Sequence, residues 1–261
     1  MDFKSKRESN NSDSIKHMKV ENDVLLILSH AETDGNALRL VGQLDRKLYQ
    51  RVNKVLEAAG GKWNRKARAH LYDGDAAEAM EQIILTGEVT VPQKFGYFPT
   101  PLPLGMHVAG LAEIAPGHAV LEPSIGQGHL AEAIKKTQPG ATIKGYELLT
   151  GNVKKCTGRF DVTEIDFLTV PRTPVYDRVL MNPPFEKQAD IRHVRHALSF
   201  LKPGGKLVSI MSAGVMFRDN KLTTDFRELV TGYDGDFEKN DDDAFRESGT
   251  TVRTVTVKIQ T

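Results

Sequence analysis

The sequence has a single cysteine, no aliphatic run longer than five residues and no excess of either charge. Cys156 alone excludes an internal disulfide framework and a cysteine-built zinc or iron–sulfur site. The longest aliphatic run, Val24 to Leu28, falls far short of the roughly 20 residues needed to cross a bilayer. The polar start from Met1 to Asp13 lacks the apolar segment of a secretory leader, so a cytoplasmic protein without membrane attachment is expected. A net charge of +1 points to no partner by itself. What is present is 261 residues at 39% hydrophobic content, enough for one α/β domain and a smaller appendage.

Residues 1–20 are polar with few apolar anchors and are expected to form a disordered tail. Residues 21–90 read as a small basic α+β region. Val24 to Leu28 is expected to be a buried strand, with Leu38 to Val41 as its partner after the turn residues Asp34, Gly35 and Asn36. Leu44, Leu48, Val52, Val55 and Leu56 recur at helical spacing until Gly60-Gly61, and a short hairpin around Trp63 and His70 to Tyr72 follows. Residues 91–261 form the second region. There a helix from Leu104 to Ala115 precedes alternating strands and helices: strand 118–121, helix 129–136, strand 142–147, a short strand near Val162, strand 178–181, helix 189–201 and strand 206–211. This order predicts an α/β fold with a doubly wound, Rossmann-like parallel sheet. Residues 251–259 alternate in period two and predict an antiparallel edge strand, while the acidic run from Asp234 to Glu247 reads as a solvated loop.

Chemistry first appears where strand 118–121 runs into Glu122-Pro123-Ser124-Ile125-Gly126-Gln127-Gly128. Such a glycine turn lets backbone approach a ligand, and the following helix start offers free N–H donors. The segment alone also fits a dinucleotide fingerprint. Glu122, placed before the glycines, would repel a pyrophosphate but attract a cationic amino-acid end. Glu147, at the end of the next strand, is placed to take two ribose hydroxyls. Asp166 and Phe167 are placed to take an adenine amino group and cover its ring. A nucleoside with a positive, non-phosphate end fits these three edges, and S-adenosylmethionine is such a molecule.

The most informative run is Asn182-Pro183-Pro184-Phe185 after strand 178–181. Two prolines cannot continue a strand, so the chain leaves the sheet as a stiff loop at its carboxyl edge, where such folds bind ligands. The Asn182 side chain and the Pro183 carbonyl can accept both hydrogens of one planar amine. That favours a pyramidal nitrogen, aims its lone pair and stabilises the positive charge that develops on it. Phe185 offers a face on which an extruded base can stack.

On these motifs, residues 98–259 resemble class I S-adenosylmethionine-dependent methyltransferases of the amino-group type, and most of all the small adenine-specific DNA methyltransferases of phages and plasmids. The resemblance includes Phe98-Pro99-Thr100-Pro101 and Glu247-Ser248-Gly249-Thr250. It implies that Phe98, Thr100 and Pro101 hold the methionine end of the cofactor, with Glu122, Pro123, Gly126 and Gly128 around it. Glu147 would bind its ribose, Asp166 with Phe167 its adenine, and Asn182, Pro183, Pro184 and Phe185 the target amine.

Larger restriction-type members carry a separate target-recognition domain after the catalytic one. Here the candidate for that role is the stretch from Arg46 to Arg68, with eight basic residues against one acidic. Arg46, Lys47, Lys62, Arg65, Lys66 and Arg68 would neutralise phosphates, and Trp63 or Tyr49 would touch bases. A solvated helix face accounts for the same charges. DNA is the expected partner, with RNA as the alternative. The same Asn-Pro-Pro-aromatic loop serves enzymes acting on ribosomal RNA and on protein glutamine, and a non-catalytic binding module is a further alternative. No metal site is expected: His193 and His196, at i and i+3, read as a surface helix face.

Overall fold

The computed structural model describes residues 18–89, 98–248, 250 and 252–261. The boundary expected at residues 90 and 91 and most of the expected tail lie outside them.

The first unit begins with β1 (Met18–Lys19), α1 (Asn22–Ser29), β2 (Glu32–Asp34), β3 (Ala37–Arg39) and α2 (Arg46–Ala58). It continues with β4 (Lys62–Asn64), β5 (Ala69–Leu71), α3 (Ala76–Thr86) and β6 (Glu88–Val89). Residues 18–20, expected in the tail, are ordered: β1 pairs with β6, and Val20 is buried. The strand expected at Val24 to Leu28 is instead the core of α1. Val24, Leu25 and Leu28 fall on one side of a helix and enter a cluster with Leu38, Val52, Leu56, Met80 and Ile83. A five-residue apolar run carries no period that separates strand from helix, and burial on the helical spacing decides it. The turn at Asp34 to Asn36 therefore joins β3 to β2, in a sheet of order β2-β3-β5-β4.

The second unit contains α4 (Leu102–Leu111), β7 (Ala119–Glu122), α5 (His129–Thr137), β8 (Thr142–Glu147), α6 (Thr150–Cys156) and β9 (Asp161–Glu164). After these come β10 (Tyr176–Met181), α7 (Ala189–Ala197), β11 (Leu201–Ser212), α8 (Lys221–Gly232), β12 (Asp236–Lys239) and β13 (Thr254–Gln260). They build a seven-stranded sheet of order β12-β13-β11-β10-β7-β8-β9, parallel from β11 to β9. The strand order reverses beside β7, which is where a doubly wound sheet opens a crevice.

Alternation along the strands divides the core. Val120, Leu180, Val208 and Ile210 face one layer with α4 and α5, whereas Leu121, Val179, Met181, Leu207 and Met211 face the other with α7 and α8. The expected antiparallel strand near the C-terminus is β13, paired with β11, and β12 pairs outside it. The acidic run is thus not simply a solvated loop. It supplies β12, which pairs with β13 and packs Phe237 against the core, and the fully buried Phe245. No helix among the described residues is long and apolar enough to cross a membrane.

Candidate active site

The carboxyl ends of β7, β8 and β10 and the turn after β9 surround one cavity of about 490 Å³, within the size range of small-molecule sites. Its walls include Phe98, Thr100, Glu122, Pro123, Gly126, Glu147, Asp166, Phe167 and all of Asn182, Pro183, Pro184 and Phe185. Two expected residues stand outside that wall. Gly128 caps α5 at φ +88, where a Cβ would lie 2.6 Å from the Phe160 ring, and Pro101 caps α4.

The glycine turn is fastened to β8. Glu147 accepts the Gly126 N–H at Oε2 (2.8 Å) and the Leu149 N–H at Oε1 (2.8 Å), which leaves a second lone pair on each oxygen. Glu122 is only 1% exposed, and among the described residues its Oε2 has no hydrogen-bond partner. Burial pushes its carboxyl well above the ordinary carboxylate range; the Ala131 N–H opposes this and the Glu147 charge adds to it. A buried carboxyl oxygen left without a donor is costly and calls for a cation or donor from a ligand.

Asn182 is held at the end of β10 by its own amide. Nδ2 donates to the Phe98 carbonyl and to Thr100 Oγ1, both at 3.1 Å. Since both N–H groups are taken, Oδ1 is an acceptor at the cavity wall. The Pro99 carbonyl accepts from Ser248 Oγ at 2.6 Å, so the segment holding Asn182 is itself tied down. Phe185 is 4% exposed and stacks on Phe98 with centroids 6.2 Å apart at 20°. It is a half of an aromatic pair in the wall rather than a free platform.

Asp166 accepts the Leu168 N–H at Oδ1 (2.9 Å), which leaves Oδ2 available. Phe167 is buried against Tyr146, His193, His196 and Phe200, so it is a floor below the site. The two histidines are accordingly not a surface face. His193 is 9% exposed and lines the cavity, and His196 meets the Phe167 edge and Val170 carbonyl. The His193 Nδ1 must donate to the Ala189 carbonyl (2.9 Å), and burial lowers its basicity. Leu148, 63% exposed, and Leu149 also line the cavity and were not singled out from sequence. Their signal was two adjacent apolar residues immediately after Glu147, where a loop has no core to bury them.

The basic residues named for nucleic acid are all exposed. Arg46 and Lys47 begin α2, and Lys62, Trp63, Arg65, Lys66 and Arg68 belong to the β4–β5 hairpin. Asn64 Oδ1 closes its turn by accepting the N–H groups of Lys66 and Ala67. Trp63 is 54% exposed and its ring leans on His70. Arg51 from the same stretch is ion-paired with Glu21 and Asp23.

No family profile matches the chain, and no curated protein sequence does. Solved structures do match. A type I restriction-modification methyltransferase subunit from Streptococcus thermophilus aligns at TM-score 0.56 and 20% identity, over 70% of this chain and 48% of its own. A modification subunit of a putative type I restriction enzyme from Vibrio vulnificus aligns at TM-score 0.53 and 15% identity, over 85% and 54%. The chain has a Rossmann-like methyltransferase fold. It spans about half the length of these two structures.

Proposed function

We propose that the chain is an S-adenosylmethionine-dependent methyltransferase that modifies the exocyclic amino group of adenine in DNA. The observation that carries this reading is the Asn182 amide, whose two N–H groups are spent on Phe98 and Thr100 so that its oxygen accepts at the cavity bounded by the glycine turn.

The residues fit the cofactor. Glu122 offers an unpartnered, buried oxygen to a cationic amino-acid end, Glu147 keeps lone pairs for ribose hydroxyls, and Asp166 Oδ2 with the Leu148 side chain suits an adenine. When bound, S-adenosylmethionine supplies an electrophilic methyl group. The protein's own part is orientation. Asn182 Oδ1 and the Pro183 carbonyl accept the two amine hydrogens, draw the nitrogen towards a pyramidal shape and stabilise its developing positive charge. Pro183 and Pro184 keep that loop stiff, so little reorganisation accompanies the reaction. The amine's extra proton leaves to water after transfer, and no strong base is required. The stacked Phe98–Phe185 pair favours a flat heteroaromatic amine over a flexible side-chain amide. The exposed cations of the hairpin and the start of α2 favour a polyanion.

Tritiated methyl groups from S-adenosylmethionine should enter duplex DNA. Asn182→Ala should lower transfer by a factor on the order of 100 or more, with cofactor affinity largely kept. Transfer only to RNA or protein would reassign the substrate, and cofactor binding without any transfer would make the chain a binding module.

A further inference from the structure

Behind the Asn182–Phe185 loop lies a group of buried polar side chains that reaches the first unit. Two residues after Phe185, Lys187 and Gln188 turn through positive φ (+50 and +57), and Asp190 stands in the first turn of α7. Gln188 Oε1 accepts from Thr223 Oγ1 at 2.7 Å and from Asn220 Nδ2 at 3.1 Å. Asp190 is 1% exposed. Its Oδ1 accepts the Ile191 N–H (2.9 Å) and its Oδ2 the Ser212 N–H (3.0 Å), so it joins the start of α7 to the end of β11. Across a cavity of about 10 Å³, walled also by Phe185 and Gln188, lies Arg218. Arg218 is buried, and its Nη2 donates to both oxygens of Glu81 on α3, at 3.3 and 3.2 Å. Its Nε has no partner among the described residues. Next to Glu81 in sequence is Gln82, and one helical turn from it is Leu85, which reaches the wall of the large cavity itself.

We infer that Arg218 is a positioning residue: clamped by Glu81 of the first unit, it supplies the counter-charge for Asp190 and thereby sets the geometry of the Asn182–Phe185 loop. The first unit is then required for turnover even where it touches no substrate. The inference rests on the methyltransferase reading for its kinetic test and on the fold alone for its structural one. Two ionic groups bear on Asp190. Burial pushes its carboxyl up to about 7, the backbone N–H groups of Ser212 and Ile191 and the Arg218 cation pull it down, and Glu81 pushes it up. Without Arg218 the carboxyl protonates at higher pH, and an O–H then stands where an acceptor of backbone N–H groups is needed.

The test uses the full chain with Arg218→Met, Arg218→Lys and Glu81→Gln. Arg218→Met should reduce turnover on the order of 100-fold while cofactor affinity stays within about twofold, as expected for a displaced loop. Its acidic limb of activity should move to higher pH, whereas Arg218→Lys should keep the parent limb. A packing role alone would lower activity evenly across pH, and that result overturns the inference. Hydrogen exchange over residues 182–192 needs no substrate and should quicken in Arg218→Met and in Glu81→Gln. If Arg218→Met does not fold, Glu81→Gln decides: unchanged exchange overturns the inference, and faster exchange supports it. Should the parent protein methylate nothing, exchange still tests the brace while the methyltransferase reading falls separately.

Discussion

In the proposed function, Glu122 would couple ligand binding to a proton. Burial holds its carboxyl well above the ordinary range, with Glu147 adding to that and the Ala131 N–H opposing it. A cation placed against Oε2 stabilises the carboxylate and drives the proton off. Binding of S-adenosylmethionine should therefore release a proton, and affinity should climb with pH until Glu122 is ionised in the free protein. Calorimetry in two buffers of different ionisation enthalpy would read this directly, and identical heats would remove Glu122 as the ionic partner. Asp190 and Glu122 also tie stability to pH with one sign. Each value is raised in the fold, so each favours the folded state most below about pH 4. That contribution fades as the pH rises, for Asp190 up to about 7. Among single residues, those with an unusual chemical context in the sequence were the legible ones: a carboxylate before two glycines, and an asparagine before two prolines. Asp190, Arg218 and Glu81 were not, because their meaning lies in a juxtaposition across 137 positions of the chain that no local spacing encodes.

At the level of elements, the β4–β5 hairpin is where a nucleic acid would be felt first. Its tip places Arg65, Lys66 and Arg68 in solvent beside the exposed Trp63, with no acidic side chain between Lys62 and Arg68. Arg65→Glu with Lys66→Glu should weaken DNA binding and flatten the dependence of affinity on salt by about two released counterions or more. An unchanged slope would return the hairpin to an ordinary solvated surface. The α/β alternation of residues 118–211 was readable since buried parallel strands form short, dense apolar runs between helices of period 3.6. Short elements were harder. The run Val24 to Leu28 is helical because tertiary burial of Val24, Leu25 and Leu28 outweighs local preference, and β12 hides in an acidic stretch where Phe237 alone is apolar among the four residues that pair with β13. Neither α3 nor α8 was read from sequence. In α3 nearly every position from Met80 to Thr86 is buried, so no polar face marks a helical period.

Across the whole molecule, the two units share more than a border. Arg253 donates its N–H to the Leu85 carbonyl, His30 meets Asp219, and Glu81 grips Arg218, so α3 and the end of α1 are both tied to loops of the second unit. The sheet itself has an order unlike its order of synthesis. β13 is threaded between β11 and β12, with seven paired positions on one side and four on the other. A ribosome-bound chain that has emerged only as far as β12 consequently holds two strands with open edges and nothing to seal them. Removing residues 254–261 should recreate that half-made state permanently, giving a product that is rapidly degraded by protease or recovered as aggregate. Survival of a protease-resistant core would show that the parallel strands are self-sufficient.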